Sequence, residues 1–210
     1  MKSVFSEKAV KIFLVIFIFI LSIYAATMIH EVGHVVAYSF LGCNSPVPFV
    51  RIDITGGTYC ASPENWGEDL TNLEDLFATV SSLIFVSLVG LLLLLGYKYS
   101  KFIKKHYILS IIFFSLAFNC FLNGFLQSLY GNDLSEIWAL GVSSFYTYLF
   151  AGLVGVLLIY TTSQFKDLLK RVSPKIGDGA LKTLAVLFWI LAILIVSVYL
   201  LLPYLFYYLF

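Results

Sequence analysis

The stretch "HEVGH" at 30–34 holds the residues of this chain whose types and spacing could do chemistry. On a helix, His30 and His34 are four positions apart and share a face, so both imidazoles can reach one metal ion. Glu31 is turned about 100° from His30 and can reach a water held by that ion. This is the H-E-x-x-H arrangement of two zinc ligands and a general base. The metal brings the pKa of its water down towards neutrality. The glutamate then takes a proton and passes it to a leaving group. Only 3 histidines occur in the chain, and two of them are here.

The plain alternative is a chance match, with histidines satisfied in a packed interior. The setting weighs against it, because HEVGH continues an apolar run that starts at Ile12. An ionisable group in a membrane helix costs at least a few kcal/mol and marks function by default. Gly33, inside the motif, is a poor helix former that lets a neighbouring backbone come close, either for helix packing or to make room for a substrate.

The elements that must position these groups are apolar and long. The chain has 210 residues, 60% hydrophobic and 12% charged, far from a soluble globular composition. Charge is absent from 12–29, 76–97, 107–132, 137–165 and 183–210, and each gap can cross a bilayer. The pattern predicts an all-α polytopic membrane protein of about five transmembrane helices, near 11–41, 74–97, 107–130, 137–160 and 183–205. The whole of 1–210 reads as a single membrane domain. The basic start and "YAAT" at 24–27 resemble a cleaved signal peptide. Cleavage there would leave HEVGH at a frayed terminus, so a retained first helix is expected.

Alternating the five spans sorts the charges. One side receives 12 of the 13 Lys and Arg residues, in the N-terminus and the 98–105 and 161–182 loops. The other side has Arg51 and the acidic Asp53, Glu64, Glu68, Asp69, Glu74, Asp75, Asp133 and Glu136. The positive-inside rule puts the N-terminus in the cytosol and the C-terminus, "YLFYYLF", on the outer side. The basic 161–182 loop reads as a plain cytosolic loop rather than a membrane-surface patch.

A hydrophobic chain with "HEVGHVVAYSFLG" at 30–42 resembles the site-2 protease family of intramembrane zinc metalloproteases. The segment "VPFVRIDITGGTYC" at 47–60 extends the resemblance: it alternates like a strand and has a Gly-Gly pair, as a β-hairpin would. In that family a short sheet follows the HExxH helix and holds unwound substrate by strand addition. The resemblance therefore implies a substrate-binding role for Gly56 and Gly57, although a plain hairpin reads equally well. It also implies Zn2+ as cofactor and a membrane-anchored protein as substrate. The other expected partner is the lipid bilayer, with no nucleic acid.

Catalytic zinc needs a third protein ligand, and the resemblance implies an aspartate. "GDGA" at 177–180 looks like the family's Asp-Gly pair; "YGNDLSEI" at 130–137 has Leu134 where the glycine would stand. Topology favours Asp133. His30 lies about 27 Å along the first helix from Ile12, near the outer side, where the third span also ends. Asp178 falls in the basic loop on the opposite side. Asn119, Asn123 and Gln127 form a polar stripe on the third span, for bonds between helices or for substrate. Asn123 is the candidate for holding the substrate backbone or an oxyanion. Asn132 is the candidate for orienting Asp133.

Cys43 and Cys60 bracket the expected hairpin and could pair in an oxidising compartment or stay as thiols. Cys120 reads as a packing residue. Two rival readings remain beside the protease. One is a membrane metal carrier or sensor without hydrolysis, with "ENWGEDLTNLED" at 64–75 as a cation collector or simply a solvated connection. The other is a pseudoprotease that binds membrane helices without cutting them.

Overall fold

The computed structural model describes residues 2–51, 56–60, 71–130, 137–174, 177, 179–180, 182–184 and 186–190. The chain is an all-α membrane protein with a two-stranded hairpin after its first helix. Four helices are long and apolar enough to span a bilayer: Val10–Phe40, Leu76–Tyr99, Tyr107–Leu129 and Ser144–Val172. Of the fifth expected span, 183–205, residues 182–184 and 186–190 are helical, and the rest lies outside the described residues.

Helix α1 runs Lys2–Phe40. Its apolar part, Val10–Phe40, is about 45 Å long and exceeds the ~30 Å hydrocarbon core, so it must tilt or project. Phe13, Ile16, Phe17 and Ile20 face outward, as lipid-facing side chains do. Gly42, at a φ of 96°, ends the helix; the Cys43 N–H returns to the Tyr38 carbonyl at 2.9 Å. A positive φ is cheap only for glycine, which explains the "LGC" sequence at this turn.

Strands β1 (Pro46–Val50) and β2 (Gly56–Cys60) form an antiparallel pair in the register Pro46↔Cys60, Pro48↔Thr58, Val50↔Gly56. Cys43 and Cys60 are disulfide-bonded, with Cα atoms 5.9 Å apart. The bond ties the end of β2 to the end of α1. Pro48 has no N–H and cannot exchange two bonds with Thr58. The ladder bonds are therefore those of Val47–Tyr59 and Phe49–Gly57, and the other backbone groups point outward. Pro46 and Pro48 leave the Val50 N–H as the one donor on the outer edge of β1, whereas the outer edge of β2 presents Gly56, Thr58 and Cys60.

Helix α2 (Asn72–Tyr99) begins with a capping box in which Thr71 and Glu74 bond each other reciprocally. The bonds from Thr71 hold the exposed Glu74 carboxyl below its usual pKa. Ser100 separates α2 from the short α3 (Lys101–Lys105), and α4 follows at Tyr107–Tyr130. The fourth span starts later than the charge gap suggests. Residues 137–139 make a short helical turn, closed by Gly141 at a φ of 83°, and Ser143 then caps α5 (Ser144–Ser163). The apolar gap hid this break because Gly and Ser carry no charge. After Gln164, helix α6 covers Phe165–Val172 and buries Leu168 and Val172 in the core, where the sequence suggested a plain loop.

The bundle packs α1 against α2 and α4, and α4 against α5. Tyr97, Ile111, Phe114, Phe121 and Leu168 form the main core. Phe188 stacks on Phe165 at 3.9 Å and touches Phe19, Phe114 and Phe118, so the last helical stretch joins the same core. Basic side chains gather at this end: Arg171 lies 4.2 Å from the Tyr97 ring, Lys11 lies 5.7 Å from the Tyr107 ring, and Lys98 bonds the Tyr160 hydroxyl.

Candidate active site

The far end of α1 holds the HEVGH residues. His30, Glu31 and His34 are all buried, at 2%, 4% and 9% exposure. The two imidazoles lie 5.1 Å apart, centre to centre, at 79° to each other. Helix α2 and the hairpin touch these groups, and α4 packs against α1 and α2.

Helix α2 supplies the first support. A Cβ on Gly33 would lie 2.5 Å from the Ser82 Cα, so only glycine lets the two backbones meet here. The close approach puts the Ala78 carbonyl 3.0 Å from His34 Nδ1. A carbonyl only accepts, so Nδ1 must carry the proton, and in the neutral ring Nε2 carries the lone pair. That is the second contact usual for a metal-bound histidine, fixing tautomer and ring orientation together. The glycine within the motif thus serves the histidine beside it.

The hairpin supplies the second. The Thr58 hydroxyl lies 2.9 Å from Glu31 Oε2 and 3.2 Å from the Glu31 carbonyl. A Cβ on Gly56 would lie 2.5 Å from Glu31 Oε1. Gly56, Thr58 and Cys60 share one face of β2, and that face is turned to α1. Gly57 has a different use: a Cβ there would strike the Phe49 ring at 2.7 Å. The two glycines expected together as a substrate site therefore meet different groups, one the Glu31 carboxyl and the other the hairpin's own aromatic ring.

Helix α4 supplies depth. Gly90 of α2 lies against Cys120 and Phe121, and Gly124 against Ser87 and Val86. Further on, Ser128 lines a cavity of about 210 Å³ with Val80 and Leu83. The end of α4 thus reaches the stretch of α2 that His34 and Gly33 touch. Ile137, buried, lines the same cavity. Asp133, Asn132 and Asp178 lie outside the described residues.

The polar stripe on α4 divides. The Asn119 amide bonds the Ser22 hydroxyl at 2.6 Å and the Ser115 carbonyl at 3.0 Å, which makes it a tie between α4 and α1. Asn123, one turn nearer the HEVGH depth, has a shielded Oδ1 that, like the Oδ1 of Asn119, accepts no bond from the described residues. Among the described residues no group of three His, Cys, Asp or Glu side chains is arranged to hold a metal. Thr58 and the Ala78 carbonyl were not singled out in the sequence. Alternation would have put Thr58 on the face of Gly56; nothing local marks a backbone carbonyl on another helix.

Comparison of the chain with family models, with curated proteins and with solved structures returns no match.

Proposed function

We propose that the chain is an intramembrane zinc metalloprotease that cuts membrane-anchored protein substrates, in the manner of the site-2 proteases it resembles. The observation that carries the reading is the bond from His34 Nδ1 to the Ala78 carbonyl, in a pair of buried imidazoles one turn apart. The donor chemistry suits zinc: two histidines, with Asp133 as the third ligand. A bound zinc ion supplies Lewis acidity and a water of near-neutral pKa. Glu31 takes the proton of the attacking water and delivers it to the leaving amine. His30, His34 and Asp133 hold the metal, and Asn132 orients Asp133.

The outer edge of β2, unpaired among the described residues, would give a substrate strand a place to pair, whereas the prolines deprive β1 of two donors. Asn123 directs its carbonyl side chain to substrate backbone. The gathering of basic groups at the end opposite HEVGH favours a cytosolic N-terminus and a site near the outer face.

The test is cleavage of a fluorescent single-span reporter with a Gly-Pro pair in its span, in vesicles of phosphatidylcholine and phosphatidylglycerol, together with zinc content. Wild type should hold about one zinc per chain and cleave. Glu31→Gln should keep the zinc and lose roughly 100- to 10,000-fold in rate. Zinc retention with undiminished metal-dependent function in that variant would instead indicate a carrier or sensor. Asp133→Ala should lose most of the zinc; full retention would return the third ligand to Asp178 or another carboxylate.

A further inference from the structure

We infer that Thr58 is a positioning residue for Glu31: its hydroxyl, delivered by the hairpin, fixes the carboxylate in the orientation from which it can act on the water. The inference rests on the protease reading above and adds to it a residue that the HExxH pattern does not contain.

Glu31 ends a flexible stem on a helix, and such a base must be held to work at full rate. The hairpin supplies two of its contacts. The Thr58 hydroxyl is 2.9 Å from Oε2 and 3.2 Å from the main-chain carbonyl of Glu31. A hydroxyl has one hydrogen, and the shorter contact, to a carboxylate, is the stronger place for it. From the other side, Oε1 fills the space where residue 56 would carry a Cβ. Residues two apart on one strand face thus meet both oxygens of the carboxylate, Thr58 by a bond to Oε2 and Gly56 by close approach to Oε1. The Cys43–Cys60 bond fastens that same face to the end of α1, so Thr58 keeps its station.

Hydrogen-bond partners of groups at metal sites are commonly worth 10- to 100-fold in activity. Thr58→Val keeps shape and β-branching but removes the hydroxyl; Thr58→Ser keeps the hydroxyl. In the reporter assay Thr58→Val should lower kcat roughly 10- to 100-fold with KM, zinc content and the disulfide unchanged, and Thr58→Ser should restore kcat. A second readout does not need activity. In metal-free protein, the infrared carboxylate band that Glu31→Gln removes should shift in Thr58→Val and stay in place in Thr58→Ser.

A wild-type kcat in Thr58→Val, or an unshifted band, overturns the role. So does a Thr58→Ser variant as slow as Thr58→Val, which would assign the loss to packing. A wild type that neither binds zinc nor cleaves overturns the protease reading first, and this role with it.

Discussion

Two polar clusters lie inside the bundle, and they are built differently. At Asn119 the amide donates to the Ser22 hydroxyl and the Ser115 carbonyl, and Ser22 donates to the Phe19 carbonyl. All members are neutral, and two helices supply them. At HEVGH the members are ionisable and three elements meet: α1, which carries them, the backbone of α2 at Ala78, and the strand face of Thr58. Helix association in lipid needs only a cluster of the first kind. A glycine that brings in a carbonyl, a second glycine that clears space for a carboxylate, and a disulfide to anchor the strand exceed what association requires. On the proposed function, the difference would separate glue from machinery without reference to the motif.

The largest expected effect tests that separation at the histidine. His34→Ala should remove the bound zinc and abolish reporter cleavage, while the protein still folds and keeps its disulfide. Zinc content by atomic absorption and a non-reducing gel measure both. Zinc retained at the wild-type level in His34→Ala would break the contrast, since the second cluster would then be buried polarity of the same kind as the first.

A finer test uses the neighbouring glycines. Gly56→Ala would place a Cβ 2.5 Å from Oε1 and 2.9 Å from both Cδ and Cγ of Glu31. The side chain must swing away, and cleavage should fall roughly 10- to 100-fold with zinc retained. Gly57→Ala presses on the Phe49 ring instead, within the hairpin. Its effect on kcat should be clearly the smaller. Equal losses in the two variants would mean that the hairpin as a whole matters, rather than its contact with the base.

Much of this was legible in the sequence, and for simple reasons. Charge gaps mark spans because burying charge in lipid is costly, so α2 and α4 fall within two residues of their expected ends. The hairpin was legible from alternation and the Gly-Gly pair. What the sequence left open depended on contacts between distant residues. Cys43 and Cys60 could be bonded or free until α1 and β2 were seen side by side. The start of α5 at Ser144 was hidden, because Gly141 and Ser143 break a helix without adding charge. The partner of His34 is a main-chain atom 44 residues away, which no side-chain pattern announces. Asp133 was reached by depth alone, and it lies outside the described residues.

The smallest expected effect belongs to the first cluster. Asn119→Ala removes the donor to Ser22 Oγ, but Ser22 keeps its own bond to Phe19 at 2.7 Å. Only an acceptor is left without its partner, and bonds of this kind between membrane helices average about 0.6 kcal/mol. The variant should unfold slightly earlier in a denaturant titration in detergent, with zinc content and kcat at wild-type values. The result has force in both directions. A neutral amide that matters only to stability is what glue predicts. If Asn119→Ala instead lost zinc or slowed cleavage without a matching loss of stability, the whole stripe from Asn119 to Gln127 would belong to the machinery. The contrast between the clusters would then be one of degree.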